Sequence, residues 1–353
     1  MEYQDLGKSV AIKLILGRSA IIGKKIVVLD AEGEYKKQIE KLGGRYINIK
    51  QGYSSGINIF DIEPYFDGHK EFINILDKVS EMRALLSTIS REYMNRPLTP
   101  KEMSDIEIAV NEIYNKKGIT KDVDSLYESK SGRLENGKYT MGKIKKSMPT
   151  FTDFQEALAK RETSRELAEI LIPFLKGRSL GMFDCQSTVK AHDDIIGFNL
   201  SDIKDEFTKF YTTFVLLTWL WQKFILLNKD KDKVVAVDES WMFLKYPESA
   251  NFLETLARRG RKYKTSLIVA SQFLDEFLSV DEGKAIIKGC STTMLMKQAT
   301  GNLSEITNFF NLAKGTEDFL MSARPGECIL NLNGNVTAIK FDMTDFEKEF
   351  VTT

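Results

Sequence analysis

The feature that most constrains this chain is a set of five apolar runs in which hydrophobic residues fill consecutive positions. A strand with one face in water alternates apolar and polar residues, whereas a strand covered on both faces is apolar throughout. The runs therefore predict a mainly parallel sheet with helices on both faces. They lie at residues 25–30, 45–49, 195–200, 233–238 and 265–271.

Helical periodicity fills the intervals between these runs, and this alternation predicts a doubly wound α/β domain. Three more strands are predicted at 292–297, 327–332 and 336–341. The last two are joined through Asn333-Gly334, a strong hairpin signal, so we expect an antiparallel C-terminal edge. The predicted helices are 9–22, 34–42, 201–227, 248–262 and 302–312.

Residues 66–175 interrupt the α/β pattern, because they hold helical periods and no convincing strand. We therefore predict a core formed by 1–65 and 176–353, with an inserted all-helical subdomain at 66–175. Residues 129–147 of this insertion are rich in basic side chains, which we interpret as a loop that faces a partner or a polyanion. These are Lys130, Arg133, Lys138, Lys143, Lys145 and Lys146.

Composition limits the function classes. Lys+Arg and Asp+Glu are equal at 50 each, so the bulk charge is not that of a nucleic-acid binder. The three cysteines show no CxxC spacing, which argues against a zinc site or a disulfide framework. The longest apolar stretch, 210–227, contains polar residues and indicates a buried helix. We expect a cytoplasmic protein, attached to a membrane only through partners.

A phosphate-binding signature stands near the start of the chain. Gly7-Lys8-Ser9 is followed directly by a helical run from Val10. A helix N-terminus presents amide groups to phosphate, so Gly7 to Val10 are candidate nucleotide-binding residues. Lys8 would reach the β- and γ-phosphates, and the Ser9 hydroxyl would bind Mg²⁺. The full pattern has a glycine where this chain has Glu2, so the motif is incomplete.

A second motif supports the first. The apolar strand 234–237 ends in Asp238-Glu239. Asp238 would lie beside Mg²⁺, and Glu239 would polarise the attacking water as a general base. A core strand ending in a solvated acidic turn is the alternative, but the apolar segment 241–244 follows at once. Together the motifs predict a P-loop ATPase that uses ATP and Mg²⁺.

Two further strand ends carry candidate residues. Asp30 and Glu34 follow strand 25–30, where either could position water or sense the γ-phosphate. Equally, Asp30 could form the turn and Glu34 the first turn of a helix. Ser271-Gln272 ends strand 265–271, where Gln272 could sense the γ-phosphate while Ser271 caps a helix.

The basic run 258–262 has three interpretations. Arg258, Arg259 and Arg261 could form a solvated face, or one of them could be an arginine finger that reaches the γ-phosphate of a neighbouring subunit. Contact with nucleic acid is the third. The finger would require a ring of subunits.

With these motifs placed, the sequence resembles the ATPases of type IV secretion and conjugative transfer, the TraC/TraE-like class within the HerA/FtsK branch of P-loop motors. The similarity covers nearly the whole chain in linear order. Gly7, Lys8, Ser9, Asp238 and Glu239 match family motif positions, as does Gln272. The similar segments are VVLDAEGEY (27–35), GINIFDI (56–62), IIGFNLSDI (195–203), VVAVDESWMFL (234–244), RRGRK (258–262), VASQ (269–272) and ARPGECIL (323–330).

The resemblance implies a RecA-like core, a hexamer, and a C-terminal motor domain whose partners are secretion-channel subunits and a coupling ATPase at the inner membrane. It would energise substrate transfer or pilus assembly from the cytoplasmic face. Two alternatives stay open. One is a DNA translocase or coupling-type ATPase, against which the neutral net charge weighs. The other is a catalytically weak P-loop scaffold, which Glu2 favours.

Overall fold

The computed structural model describes residues 7–66, 69–128, 133–135, 138–140, 142–189, 193–272, 274–298, 303–313 and 315–351. The chain divides into two compact units. Unit 1 comprises Met1–Asn48, His192–Asp202 and Asn228–Thr353, and unit 2 comprises Ile49–Ala191 and Ile203–Leu227. The predicted insertion, 66–175, falls inside unit 2, which extends beyond it on both sides.

The strands, in chain order, are short and mostly apolar. They are β1 Lys25–Asp30, β2 Arg45–Asn48, β3 Tyr65–Phe66, β4 Glu71–Phe72, β5 Arg133–Glu135, β6 Lys138–Thr140, β7 Ile195–Asn199, β8 Lys233–Val237, β9 Thr265–Val269, β10 Thr292–Leu295, β11 Glu327–Leu332 and β12 Asn335–Lys340.

Most of the helices lie where periodicity predicted them. They are α1 Lys8–Ile21, α2 Lys36–Lys41, α3 Ile75–Met94, α4 Pro100–Lys116, α5 Phe151–Ala159, α6 Arg165–Ile170, α7 Glu206–Trp219, α8 Pro247–Arg259, α9 Leu274–Leu278, α10 Asp281–Gly289, α11 Leu303–Phe309, α12 Thr316–Ser322 and α13 Asp345–Val351. Of these, α9, α10, α12 and α13 were not predicted. A π-helical stretch, Leu220–Ile225, continues α7.

Unit 1 is built on the predicted parallel sheet, whose strand order is β2-β7-β1-β8-β9. Strands β1 and β8 are buried along their whole length, as their continuous apolar runs predicted. β2 and β9 are not, because they form the two edges of this sheet and water reaches one side of each. The prediction that all five runs are buried on both faces is therefore wrong for these two.

The predicted antiparallel C-terminal strands are present and pair with β10 in a sheet of their own, of order β10-β11-β12. Asn333 and Gly334 form the predicted hairpin turn with φ angles of 52° and 88°. Two consecutive positive φ angles define a type I′ turn, which is why asparagine and glycine occupy it.

Unit 2 is mainly helical, with α3 to α7 packed around an aromatic core. Phe151 and Phe174 stack at 5.6 Å between ring centroids, and Phe60 and Phe154 lie at 5.4 Å. The prediction of no strand here is corrected by two small hairpins, β3–β4 and β5–β6. Strands of two or three residues are too short to show a period-2 pattern, so sequence periodicity does not reveal them.

Two lysines of the basic segment 129–147 form ion pairs with carboxylates elsewhere in unit 2. Lys143 pairs with Asp124 at 2.5 Å, and Lys145 pairs with Glu63 at 2.5 Å. These lysines therefore already have carboxylate partners within the protein. Lys130 and the side chains of Arg133 and Lys138 lie outside the described residues.

In the part of the chain that the structure describes, one helix, Glu206–Asn228, has the length and apolarity to cross a membrane. Of its apolar window, 67% is buried within the protein, and the core helix of a soluble protein meets the same criteria.

Candidate active site

The carboxyl edge of the parallel sheet gathers the predicted site residues of β1 and β8. Leu29 pairs with Val237, so the next residues, Asp30 and Asp238, are neighbours at the strand ends. The Asp238 amide extends this pairing by donating to the Leu29 carbonyl at 3.1 Å. Ligands of open parallel sheets bind at this edge, so the register itself places a candidate site here.

The phosphate-binding signature forms the N-terminus of α1. The first bond of the helix runs from Ala11 N to Gly7 O at 3.1 Å, so the amides of Lys8, Ser9 and Val10 precede the helical ladder. The Val10 side chain packs against the cluster of Leu14, Phe350 and Val351, so its backbone is what it can offer to a ligand. Glu2 lies outside the described residues.

Gly7 lies close to another segment of the chain. A Cβ atom at this position would lie 3.0 Å from Met296 Sδ, in the segment that follows β10. That distance is shorter than ordinary van der Waals contact. A side chain at position 7 would therefore displace either the phosphate loop or Met296.

Lys8 joins the two sequence motifs. Its ammonium group forms an ion pair with Glu239 and lies 3.4 Å from Asp238 Oδ1. Burial lowers the pKa of Lys8, but the charges of Asp238 and Glu239 outweigh burial and leave that pKa above its usual value. The structure thus brings Lys8 to Asp238 and Glu239, although Lys8 is more than 200 residues from this acidic pair in the sequence.

Asp238 is 3% exposed. Burial raises its pKa to about 6, Lys8 opposes this rise, and the neighbouring charge of Glu239 adds to it. The residues present fit a magnesium ion, because the Lys8 ammonium already stands as a cation between two carboxylates. Asp238, together with the hydroxyl of Ser9 in the first turn of α1, would supply the oxygen ligands that Mg²⁺ prefers. When bound, Mg²⁺ neutralises phosphate charge.

Glu239 is held in a turn at φ 45°, a left-handed conformation that non-glycine residues rarely adopt and that occurs often at functional sites. Three donors surround its carboxylate. Lys8 is one; Gln272 Nε2 lies 3.3 Å from Oε1, and Trp241 Nε1 donates to Oε2 at 2.8 Å. From the sequence, Trp241 was predicted only as part of an apolar segment; its position two residues after Glu239 was the available signal.

Asp30 and Glu34 differ in what surrounds them. The Asp30 carboxylate accepts hydrogen bonds from Gly33 N, Glu34 N and Tyr35 N at 2.8, 3.1 and 2.9 Å, and from the Tyr46 hydroxyl. Asp30 is therefore used to form the turn after β1. The half-buried Glu34 side chain lies at the same edge of the sheet, and its catalytic role stays a prediction.

The basic run lies at the amino edge of the sheet, opposite the carboxyl edge that carries the candidate site. Its exposed arginines are Arg258, Arg259 and Arg261. They lie at the end of α8 and in the turn that leads into Thr265, the first residue of β9. Gln272, in contrast, lies just after the last residue of β9. A five-residue strand spans about 16 Å, so these arginines are about one strand length from the Glu239 carboxylate of their own chain. Arg258 pairs with Glu254 at 2.5 Å.

A doubly wound parallel sheet with a helix N-terminus, a lysine and a carboxylate pair at its carboxyl edge defines the class of P-loop nucleoside triphosphatases. Residues 4–327 match the TraG P-loop domain family. The chain belongs to this family.

Comparison with solved structures gives the same fold. VirB4 of Thermoanaerobacter pseudethanolicus is 26% identical, with a TM-score of 0.78 over 98% of this chain and 88% of that one. The plasmid coupling protein TrwB in complex with ADP and Mg²⁺ is 13% identical, with a TM-score of 0.56 over 97% of this chain and 84% of TrwB. The predicted RecA-like P-loop fold is confirmed.

Among curated proteins, the type IV secretion system protein CagE of Helicobacter pylori is 22% identical over 119 residues. This segment is 33% of the present chain and 12% of CagE. The resemblance to type IV secretion and conjugation ATPases, first drawn from sequence motifs, is confirmed by the family and by the similarity to VirB4.

Proposed function

We propose that this chain is an ATP-hydrolysing motor domain that energises substrate transfer or pilus assembly in a type IV secretion or conjugation system. The observation that carries the proposal is the contact of Lys8 with Asp238 and Glu239 at the carboxyl edge of the sheet. Membership of the TraG P-loop family and the similarity to VirB4 and CagE support the biological setting.

The proposed chemistry assigns one task to each side chain. The amides of Gly7 to Val10 bind phosphate, and Lys8 moves from the carboxylates to the β- and γ-phosphates. Ser9 and Asp238 hold Mg²⁺. Glu239, released from Lys8, polarises the attacking water, while Gln272 senses the γ-phosphate.

The exposed arginines suit a contact between subunits. They lie about one strand length from their own Glu239, so a finger drawn from Arg258, Arg259 or Arg261 would act on the nucleotide of a neighbouring subunit. This requires a ring, for which we propose a hexamer. The partners would be channel subunits and a coupling ATPase at the cytoplasmic face of the inner membrane.

ATP turnover of Lys8→Ala and Glu239→Gln tests the proposal. Both should lose turnover by a factor of about 10² or more, and Glu239→Gln should still bind nucleotide because its amide keeps the shape of the site. Lys284→Ala, which removes an exposed lysine paired with Asp281, is the matched control and should match the wild type. Unchanged turnover in both site variants would refute the proposal.

The exposed arginine run also favours a second candidate, a DNA translocase or coupling-type ATPase, because clustered arginines bind phosphodiester backbones. Adding double-stranded DNA to the same assay distinguishes the two. DNA-stimulated turnover that declines steeply with salt supports the second candidate, and a constant rate supports the first.

A further inference from the structure

Tyr35 is a fully buried tyrosine beside the carboxylates of the candidate active site. Asp30 fixes its backbone by accepting a hydrogen bond from Tyr35 N at 2.9 Å. Its side chain is 0% exposed and packs in the cluster that contains Ile12, Val28 and Ala236. The roles proposed above leave this side chain unused.

The Tyr35 hydroxyl forms no hydrogen bond of normal geometry with any residue that the structure describes, although it lies close enough to Asp238 for a weak one. Burying an unpaired hydroxyl costs free energy, and phenylalanine would fill the same core without that cost. A tyrosine at such a position points to a partner with which normal hydrogen-bond geometry is reached in another state of the site.

Asp238 is the acidic group that acts most strongly on this hydroxyl. Burial raises the pKa of the Tyr35 phenol, and the charge of Asp238 raises it further, ahead of the charges of Asp30 and Glu34. The strand register explains the proximity, because Asp30, which anchors Tyr35, is the β1 neighbour of Asp238. The phenol and the carboxylate thus belong to one buried cluster.

Two contacts of Asp238 involve the same oxygen. Its Oδ1 accepts a hydrogen bond from Glu239 N at 3.0 Å and lies 3.4 Å from Lys8 Nζ. Its second oxygen, Oδ2, is then left for a further donor. A hydrogen bond to one oxygen of a metal-binding carboxylate fixes the direction of the other and strengthens metal binding.

We propose that Tyr35 is a positioning residue for Asp238: with Mg²⁺ and nucleotide bound, its hydroxyl donates a hydrogen bond to Asp238 Oδ2 and holds the carboxylate toward the metal. This inference rests on the proposed function, since it presupposes a complex with nucleotide and Mg²⁺. The buried Lys13, whose Nζ lies 5.6 Å from the centroid of the Tyr35 ring, keeps the ring in place.

Tyr35→Phe removes only the hydroxyl. Tyr46→Phe is the matched control, because the Tyr46 hydroxyl donates to Asp30 in the same turn. The full chain is titrated with a fluorescent ATP analogue in EDTA and then at increasing Mg²⁺. We expect Y35F to bind the analogue in EDTA as the wild type does, but to need about tenfold more Mg²⁺ for half of the metal-dependent gain in affinity. Y46F should keep the wild-type Mg²⁺ requirement.

Thermal unfolding provides a readout that is independent of turnover. Without ligand, Y35F should unfold at the wild-type temperature or above it, because an unpaired buried hydroxyl is gone. ADP with Mg²⁺ should raise its unfolding temperature less than that of the wild type. A merely structural role predicts the reverse in the first measurement, a lower unfolding temperature without ligand.

Three results would overturn the role of Tyr35 and leave the proposed function standing. They are an unchanged Mg²⁺ requirement in Y35F, an equal change in Y46F, and a loss of stability in ligand-free Y35F. A wild-type chain whose nucleotide affinity does not respond to Mg²⁺ would overturn both proposals.

Discussion

In the ligand-free protein, Asp238→Asn should increase the free energy of unfolding relative to the wild type, and this increase should be larger at neutral pH than at acid pH. Asp238 is 3% exposed, and its pKa in the folded protein is raised to about 6, mainly by burial. The folded state therefore favours the protonated carboxyl, whereas the unfolded chain releases the proton at the ordinary pKa of 3.8. Asparagine imitates the protonated form at every pH.

The magnitude follows from the difference between the two pKa values. A raised folded-state pKa gives a stability contribution that is complete below pH 3.8 and is lost as the pH rises through 6. The difference is about two, and each pKa unit corresponds to about 1.4 kcal/mol, so the loss is of the order of 3 kcal/mol. D238N does not suffer this loss. Its unfolding free energy minus that of the wild type should rise by about this amount between pH 4 and pH 7.

Urea unfolding at a series of pH values measures this difference. Glu347→Gln is the control with the opposite sign, because Arg18 and the Thr344 amide lower the pKa of Glu347 to about 2. Its contribution is lost as the pH falls below about 4.5, so the Glu347→Gln difference should stay flat from pH 5 to pH 7. A D238N difference that is equally flat in this window would refute the view that burial of Asp238 opposes its charge.

Two further predictions concern the same site. Trp241→Phe should lower the rate of single-turnover hydrolysis about tenfold or more and leave nucleotide affinity unchanged, because a hydrogen bond to the charged Glu239 contributes about 1.5–3 kcal/mol. Trp221→Phe, in unit 2, is the control. Equal losses in the two variants would contradict a specific role of Trp241. Gly7→Ala should weaken nucleotide binding, measured by calorimetry, because the added Cβ meets Met296 Sδ at 3.0 Å. Met296→Ala in the same chain should restore it, and failure to do so would show that the close approach is not the cause.

The sequence predicted those parts of the fold that local pattern encodes. Continuous apolar runs located β1 and β8 almost to the residue, and Asn333-Gly334 located the hairpin. It did not predict that β2 and β9 are partly exposed. Strand order decides which strand is an edge, and strand order depends on contacts between distant segments, which a periodicity window does not contain.

The same division applies to the site. The acidic pair Asp238-Glu239 and the lysine of the phosphate loop are recognisable because each stands in a local motif. Trp241 and Tyr35 are not, since an apolar or aromatic residue near a strand end has an ordinary explanation as core. Their proposed roles depend on one group each, an indole N–H and a phenol O–H, and only the three-dimensional arrangement shows where those groups lie.

The charges at this edge of the sheet give a physical reason for the proposed site to bind a divalent cation together with nucleotide. Asp238 keeps a raised pKa of about 6 although Lys8 lies 3.4 Å away, so one ammonium group does not fully compensate the burial of this carboxylate. Lys8 cannot serve both the carboxylates and a phosphate at full strength. If it moves to phosphate, Asp238 and Glu239 require another cation, and a divalent ion supplies more charge than the lysine it replaces. Nucleotide and Mg²⁺ should therefore bind cooperatively, with the exchange of Lys8 as the physical origin of their coupling.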